Sequence, residues 1–94
     1  MNNPEKAEIL LKKYLKKYGL YVEYKKRKVL VEWDKIIGRE IFYLTPLFFK
    51  KDVLICKVKN PTFLQVAEEK KEEIKEKINN YLKEYKIKDI KIIK

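Results

Sequence analysis

The chain has 94 residues, 46% of them hydrophobic and 40% charged, with a formal net charge of +10. That length suits one domain burying roughly 60 to 65% of its unfolded surface, which leaves no room for a large internal pocket. Cys56 is the only cysteine and both His and Ser are absent, so an internal disulfide, a structural zinc site and hydroxyl or thiol triads are excluded.

Neither a metal nor a cofactor is expected, because there is no GxxxxGK[ST] phosphate loop and only two glycines exist. No apolar run approaches the roughly 20 residues that span a bilayer. Abundant Lys, Glu and Ile with a single Gln is similar to the composition of hyperthermophile proteins, which carries no functional weight.

Asn3-Pro4 reads as an N-cap followed by proline at the first helical position. Ala7, Leu10, Leu11, Tyr14, Leu15 and Tyr18 then recur at helical spacing until Gly19. This predicts a first helix over residues 4–18 that buries the stripe, sets Tyr14 and Tyr18 at the rim of a core, and exposes Lys12, Lys13, Lys16 and Lys17. Tyrosines beside lysines also suit stacking on bases.

Val29, Leu30, Trp33, Ile36 and Ile37 share a face of a second helix from about Tyr24 to Ile37, which Gly38 ends as a left-handed C-cap. That register places Trp33 in the core; an exposed Trp would instead anchor an interface.

Residues Glu40 to Asn60 favour a β-hairpin turning at Lys50-Lys51-Asp52. Pro46 cannot donate to a ladder and is expected at an edge or a bulge. Leu54, Cys56 and Val58 alternate onto one face, which makes Cys56 a small core residue.

Asn60-Pro61 repeats the cap signal and opens a helical region to Tyr85. Six consecutive charges from Glu68 to Glu73 interrupt its apolar positions, leaving two alternatives: a break between two helices, or one long helix with an exposed middle. Ile87, Ile90 and Ile92 make a third strand.

The expected fold is therefore a single α+β domain over residues 1–94, a two-layer KH-like arrangement with a three-stranded sheet and helices on one face, in the order α-α-β-β-α(α)-β. A break near Glu68 would give the second topology of KH domains, which clamp single strands with a GxxG loop. The corresponding residues, Val66 to Lys71, contain no glycine.

The basicity is local. Between residues 12 and 28, Lys12, Lys13, Lys16, Lys17, Lys25, Lys26, Arg27 and Lys28 face a single carboxylate, Glu23, and Lys50 and Lys51 add to a smaller excess. Such a patch attracts phosphate backbones, and these ten residues are the candidate DNA contacts. The bland reading is a solvated lysine-rich face. One Arg gives little scope for bidentate base readout.

Several segments together resemble the DciA family of bacterial replicative helicase loaders. They are the leading helix ending Lys-Tyr-Gly-Leu, Trp33-Asp34-Lys35-Ile36-Ile37-Gly38, Thr45-Pro46, the strand Val53 to Val58, and Asn60 to Ala67. The last departs from the family's Ser-Ser-x-Trp-Ala-Gln opening by reading Asn60-Pro61-Thr62-Phe63-Leu64-Gln65. Many relatives carry a further basic segment after the last strand, whose contacts would here fall to the domain.

The resemblance implies a cytoplasmic, nucleoid-associated protein that binds a DnaB-type helicase through Trp33, Phe63 and Gln65 and promotes its loading on single-stranded DNA without an ATPase of its own. The alternative is a stand-alone KH-like module for single strands. A nuclease built on Glu32 and Asp34 is a third reading, against which both residues read as helix surface.

Overall fold

The computed structural model describes residues 4–94. Asn3, the expected N-cap, lies outside the described residues. Helix α1 runs Pro4–Lys17. It ends in a Schellman motif at Gly19: the Gly19 amide bonds the Lys16 carbonyl at 3.2 Å and the Leu20 amide the Leu15 carbonyl at 2.7 Å. Gly19 takes φ +68, which this turn requires.

The expected second helix is divided in two and starts earlier than its pattern suggests, as α2 (Tyr21–Val31) and α3 (Trp33–Ile37). The division falls at Glu32, with φ −103 and ψ 28. The Glu32 amide still closes α2 on the Lys28 carbonyl at 2.8 Å, while its own carbonyl accepts from Lys35 and Ile36 and so begins α3. No Gly or Pro marks the spot. What holds the new direction is Trp33, 6% exposed, whose indole donates to the Leu44 carbonyl at 3.1 Å. Gly38 follows with φ 102 and ψ 148, positive as expected but extended rather than left-handed helical.

After a 3₁₀ turn at Arg39–Ile41, strands β1 (Leu44–Lys50) and β2 (Val53–Val58) form the hairpin. Pro46 sits both at an edge and at a bulge: the strand order is β1-β2-β3, and the register slips by one residue between Pro46 and Phe48. Edges and bulges are the places where a strand can hold a residue with no amide proton.

A second 3₁₀ turn at Pro61–Phe63 is capped by Asn60, whose side chain accepts from the Thr62 amide at 3.0 Å. Helix α4 then runs unbroken from Leu64–Leu82, so of the two alternatives for residues 61–85 the chain adopts one long helix. Ala67, Ile74, Ile78 and Leu82 are buried. Between Ala67 and Ile74 the inward-leaning position is Lys71, which stretches to Asp89 at 3.4 Å. The charged middle is thus tolerated because only one of its residues faces inward. Asn79 then clamps the return loop, exchanging two hydrogen bonds with Ile87, and β3 (Asp89–Ile93) pairs parallel to β2.

The result is the expected two-layer α+β architecture, a three-stranded mixed sheet with helices, compatible with a small KH-like fold. Leu54, Cys56 and Val58 of β2 and Ile90 of β3 are buried on the helix side, in one cluster with Val29, Trp33, Ile37 and the α4 stripe. The opposite side carries three cross-strand rows: Lys50, Val53 and Asp89; Phe48, Ile55 and Lys91; Thr45, Lys57 and Ile93.

Two backbone positions make opposite predictions. Gly38 occupies a conformation essentially reserved for glycine, so Gly38→Ala is expected to lose about 1 to 3 kcal/mol. Lys51, at φ 55 in the hairpin turn, holds a left-handed conformation that costs a side-chain-bearing residue about 1 to 2 kcal/mol. Lys51→Gly is expected to gain roughly 0.5 to 1 kcal/mol after glycine's larger entropy loss. Urea denaturation of both variants checks the pair.

Candidate functional site

The ten candidate DNA contacts divide into two kinds. Lys12 and Lys16 lie over the Tyr21 ring at 5.4 and 5.3 Å, and both reach Glu84, at 3.8 and 2.9 Å. Lys25 sits 4.0 Å from the centre of the Tyr81 ring. Lys28 pairs with Glu32 at 2.8 Å. Lys26 is the most enclosed, between the rings of Tyr85 and Phe49 and within 3.4 Å of the Lys51 carbonyl. Lys12, Lys16, Lys25 and Lys26 thus join α1 and α2 to the rest of the domain, while Lys28 stays on partners of its own helix.

Lys13, Arg27, Lys50 and Lys51 are exposed, and their side-chain charges have no partner among the described residues. Lys17 touches only the ring of its neighbour Tyr18. The helix spacing that gathered eight cations therefore leaves only Lys13 and Arg27 without an intramolecular partner among the described residues, with Lys17 held by nothing but its neighbour's ring. Burial, with Lys83 and Lys12 nearby, lowers the pKa of Lys25. Glu32 and Glu84 are lowered by their lysine hydrogen bonds. Lys12, Lys25 and Lys28 also edge a cleft of about 350 Å³ whose aromatic walls are Tyr21, Tyr24 and Tyr81.

Helix α1 overturns one expectation. Its apolar stripe is not a core face: Leu10, Tyr14 and Tyr18 are each more than half exposed, as is Ile9, and Leu11 and Leu20 are exposed too. The rings of Tyr14 and Tyr18 lie 4.8 Å apart, tilted by 49°, on the outside rather than lining a rim. The helix lies along α2, which half-buries Leu15, and the sheet and α4 complete their core without it, so among the described residues nothing covers Leu10, Tyr14 and Tyr18. Spacing fixes which residues share a face but not whether anything covers it.

The three residues assigned to helicase contact fall around one corner. Trp33 is buried, as its register predicts, and contributes to the wall of an open groove of about 720 Å³ that also includes Val31, Arg39, Phe42, Pro46 and Lys59. Phe63 is half buried, stacked on Tyr43 at 5.2 Å and edge-on to the exposed Phe42 at 5.5 Å. Gln65 is exposed, its amide 3.4 Å from Glu69. Phe42 escaped the sequence reading because it lies in a non-repeating turn, where neither periodicity applies.

Reactive groups do not assemble. The Cys56 thiol is wholly buried and pushed up to about 12 by desolvation, far from a nucleophilic thiolate. Among the described residues no group of acidic, His or Cys side chains could hold a metal ion, and no helix is long and apolar enough to cross a membrane.

The described residues form a small basic α+β domain whose first helix leaves Leu10, Tyr14 and Tyr18 exposed. A model of the family described as Dna[CI] antecedent, DciA, matches residues 7–92, nearly the whole chain. The chain belongs to the DciA family, a family of DnaB helicase loaders, and with it to the accessory proteins of DNA replication. Neither a curated protein nor a solved structure matches it.

The hairpin turn supplies a pH test. The Tyr85 hydroxyl donates to the Asp52 carboxylate at 2.6 Å. Desolvation and that bond raise Tyr85 from 10.0 to about 12, while Asp52 is held below 3.8, chiefly by the same bond. The tyrosine's contribution is complete below pH 10.0 and lost as pH rises through about 12; the aspartate's is present above pH 3.8 and lost as pH falls. Tyr85→Phe is expected to flatten the alkaline loss and part of the acid loss in urea-unfolding free energies measured across pH.

Proposed function

We propose that this protein binds a DnaB-type replicative helicase and promotes its placement on single-stranded DNA in the cytoplasm, at the nucleoid, with no ATPase activity of its own. The observation that carries this reading beyond family membership is the uncovered stripe of α1. A contiguous row of apolar and aromatic side chains on a monomer is the signature of a protein interface, and Leu10, Tyr14 and Tyr18 supply the large anchors that such interfaces use. The corner formed by Trp33, Phe63 and Gln65 is the second contact, with Phe42 as its exposed aromatic. Lys13, Lys17, Arg27, Lys50 and Lys51 are the cations available to phosphates, while Lys12, Lys16, Lys25, Lys26 and Lys28 must exchange an internal partner to reach one.

What supports loading without nucleotide chemistry is a sequence with no GxxxxGK[ST] phosphate loop. The α4 segment Val66 to Lys71, where a KH domain would open its GxxG loop, is continuous helix. A stand-alone module of the usual KH kind therefore has no clamp at that point, and single strands must be met by another face.

Leu10→Glu with Tyr14→Glu is expected to abolish co-elution with the cognate helicase on size exclusion. The affinity loss should be at least about 30-fold, matching the roughly 2 kcal/mol of an interface hot spot. Folding stability should move by no more than about 0.5 kcal/mol, because both side chains are exposed. Phe42→Ala with Gln65→Ala separates the second contact. Wild-type protein that does not associate with the helicase removes the reading.

A further inference from the structure

We propose that the solvent face of the sheet, centred on Phe48, is a stacking platform for single-stranded nucleic acid. This deepens the reading above and rests on it, since it says where a protein acting on single strands would hold them.

Phe48 is 51% exposed although it lies in the middle of a strand, where an aromatic of that size is normally covered. It pairs with Ile55, which pairs in turn with Lys91, so the central row across the three strands reads aromatic, aliphatic, cation. Ile55 is buried yet stands outside the core cluster, as a residue on the far face must. It gives Phe48 a firm apolar bed. Neighbouring strands lie about 4.8 Å apart, so the row sets the backbones of Phe48 and Lys91 roughly 10 Å from one another on one face of the sheet.

The flanking rows add Lys50 and Lys57. The side chains of Lys50, Lys57 and Lys91 make no hydrogen bond, ion pair or ring contact with another described residue, unlike the α1 and α2 lysines that the fold has already engaged. Asp89, the one carboxylate in these rows, is turned to other uses: it accepts from the Ile90 amide at 2.8 Å and pairs with Lys71 at 3.4 Å. The face therefore presents unneutralised positive charge around an uncovered ring.

That pairing of features selects the occupant. A protein surface seated here would have to be both apolar and acidic, whereas a single strand offers an unpaired base to the ring and phosphates to the cations at the same time. A duplex hides its base faces and gains nothing from Phe48. With no Arg, Asn or Gln in the three rows, no bidentate readout of base edges is available, and binding should tolerate sequence.

The test is fluorescence anisotropy of a labelled oligothymidylate with the full chain. Phe48→Ala should weaken binding about 10-fold and Phe48→Tyr should restore most of it, the span expected for one stacked base. Lys57→Gln with Lys91→Gln should lower the slope of log affinity against log salt by about 1.4, close to 0.7 for each phosphate left unneutralised. All variants should keep helicase co-elution and the wild-type circular dichroism.

Wild-type affinity and salt slope in all of these variants, with wild-type protein binding the oligomer well, would overturn the platform and leave the loader reading standing. Wild-type protein that ignores oligothymidylate while still binding the helicase would overturn the platform together with the DNA half of that reading. Concentration-dependent dimerisation abolished by Phe48→Ala, with oligomer binding unchanged, would make this face a contact between copies and overturn the platform as well.

Discussion

The structure depends on the burial of one helix stripe against one sheet face. Ala67, Ile74, Ile78 and Leu82 of α4 are sealed in one cluster with Leu54, Cys56 and Ile90. Each buried Ile or Leu contributes roughly 1.5 to 3 kcal/mol relative to exposure, so this layer outweighs any surface ion pair, which is worth at most about 1 kcal/mol. The parallel pairing of β2 and β3 exists because α4 crosses over between them. Trp33 extends the same core by joining the α2–α3 corner to the first residue of β1 through its indole bond.

Once that core is complete, α1 has nowhere to bury its apolar side. It is held by cations rather than by apolar packing into the centre: Lys12 and Lys16 reach across to Tyr21 and Glu84. Cation–ring contacts at such partly solvated sites are worth about 0.5 to 1 kcal/mol each and fix orientation more than they add stability. Lysines that look in the sequence like a single phosphate-binding patch thus serve two purposes. Some orient the helix, and the remainder stay available to a partner. The same division explains how α1 can be positioned firmly while its stripe remains open.

The molecule's chemistry lies in its surfaces. Its single thiol is buried, and several of its described carboxylates pair with lysines, as Glu32, Glu84 and Asp89 do. The chain belongs to a family of replication accessory proteins, and the function proposed for it rests on the shape and charge of these surfaces.

Much of the fold was legible in the amino-acid order because it rests on local rules. Pro46 had to find an edge or a bulge since it lacks an amide proton, Gly19 had to stop α1, and Leu54, Cys56 and Val58 had to share a face because strands alternate. The division at Glu32 was not legible: no breaker stands there, and the new direction is held by a bond from Trp33 to a residue eleven positions later. Nor was the continuity of α4 through Glu68 to Glu73, which follows from Ala67 before the charges and Ile74 after them being buried in the same core.

The same limit applied to the candidate site. Composition located the positive charge, but only tertiary contacts decided which lysines were already occupied. Helical spacing defined the α1 stripe, but only the closure of the core without it decided that Leu10, Tyr14 and Tyr18 would remain outside. Sequence determined the faces, because periodicity is a property of the backbone; the tertiary structure decided which faces were covered, because covering needs a partner that periodicity does not name.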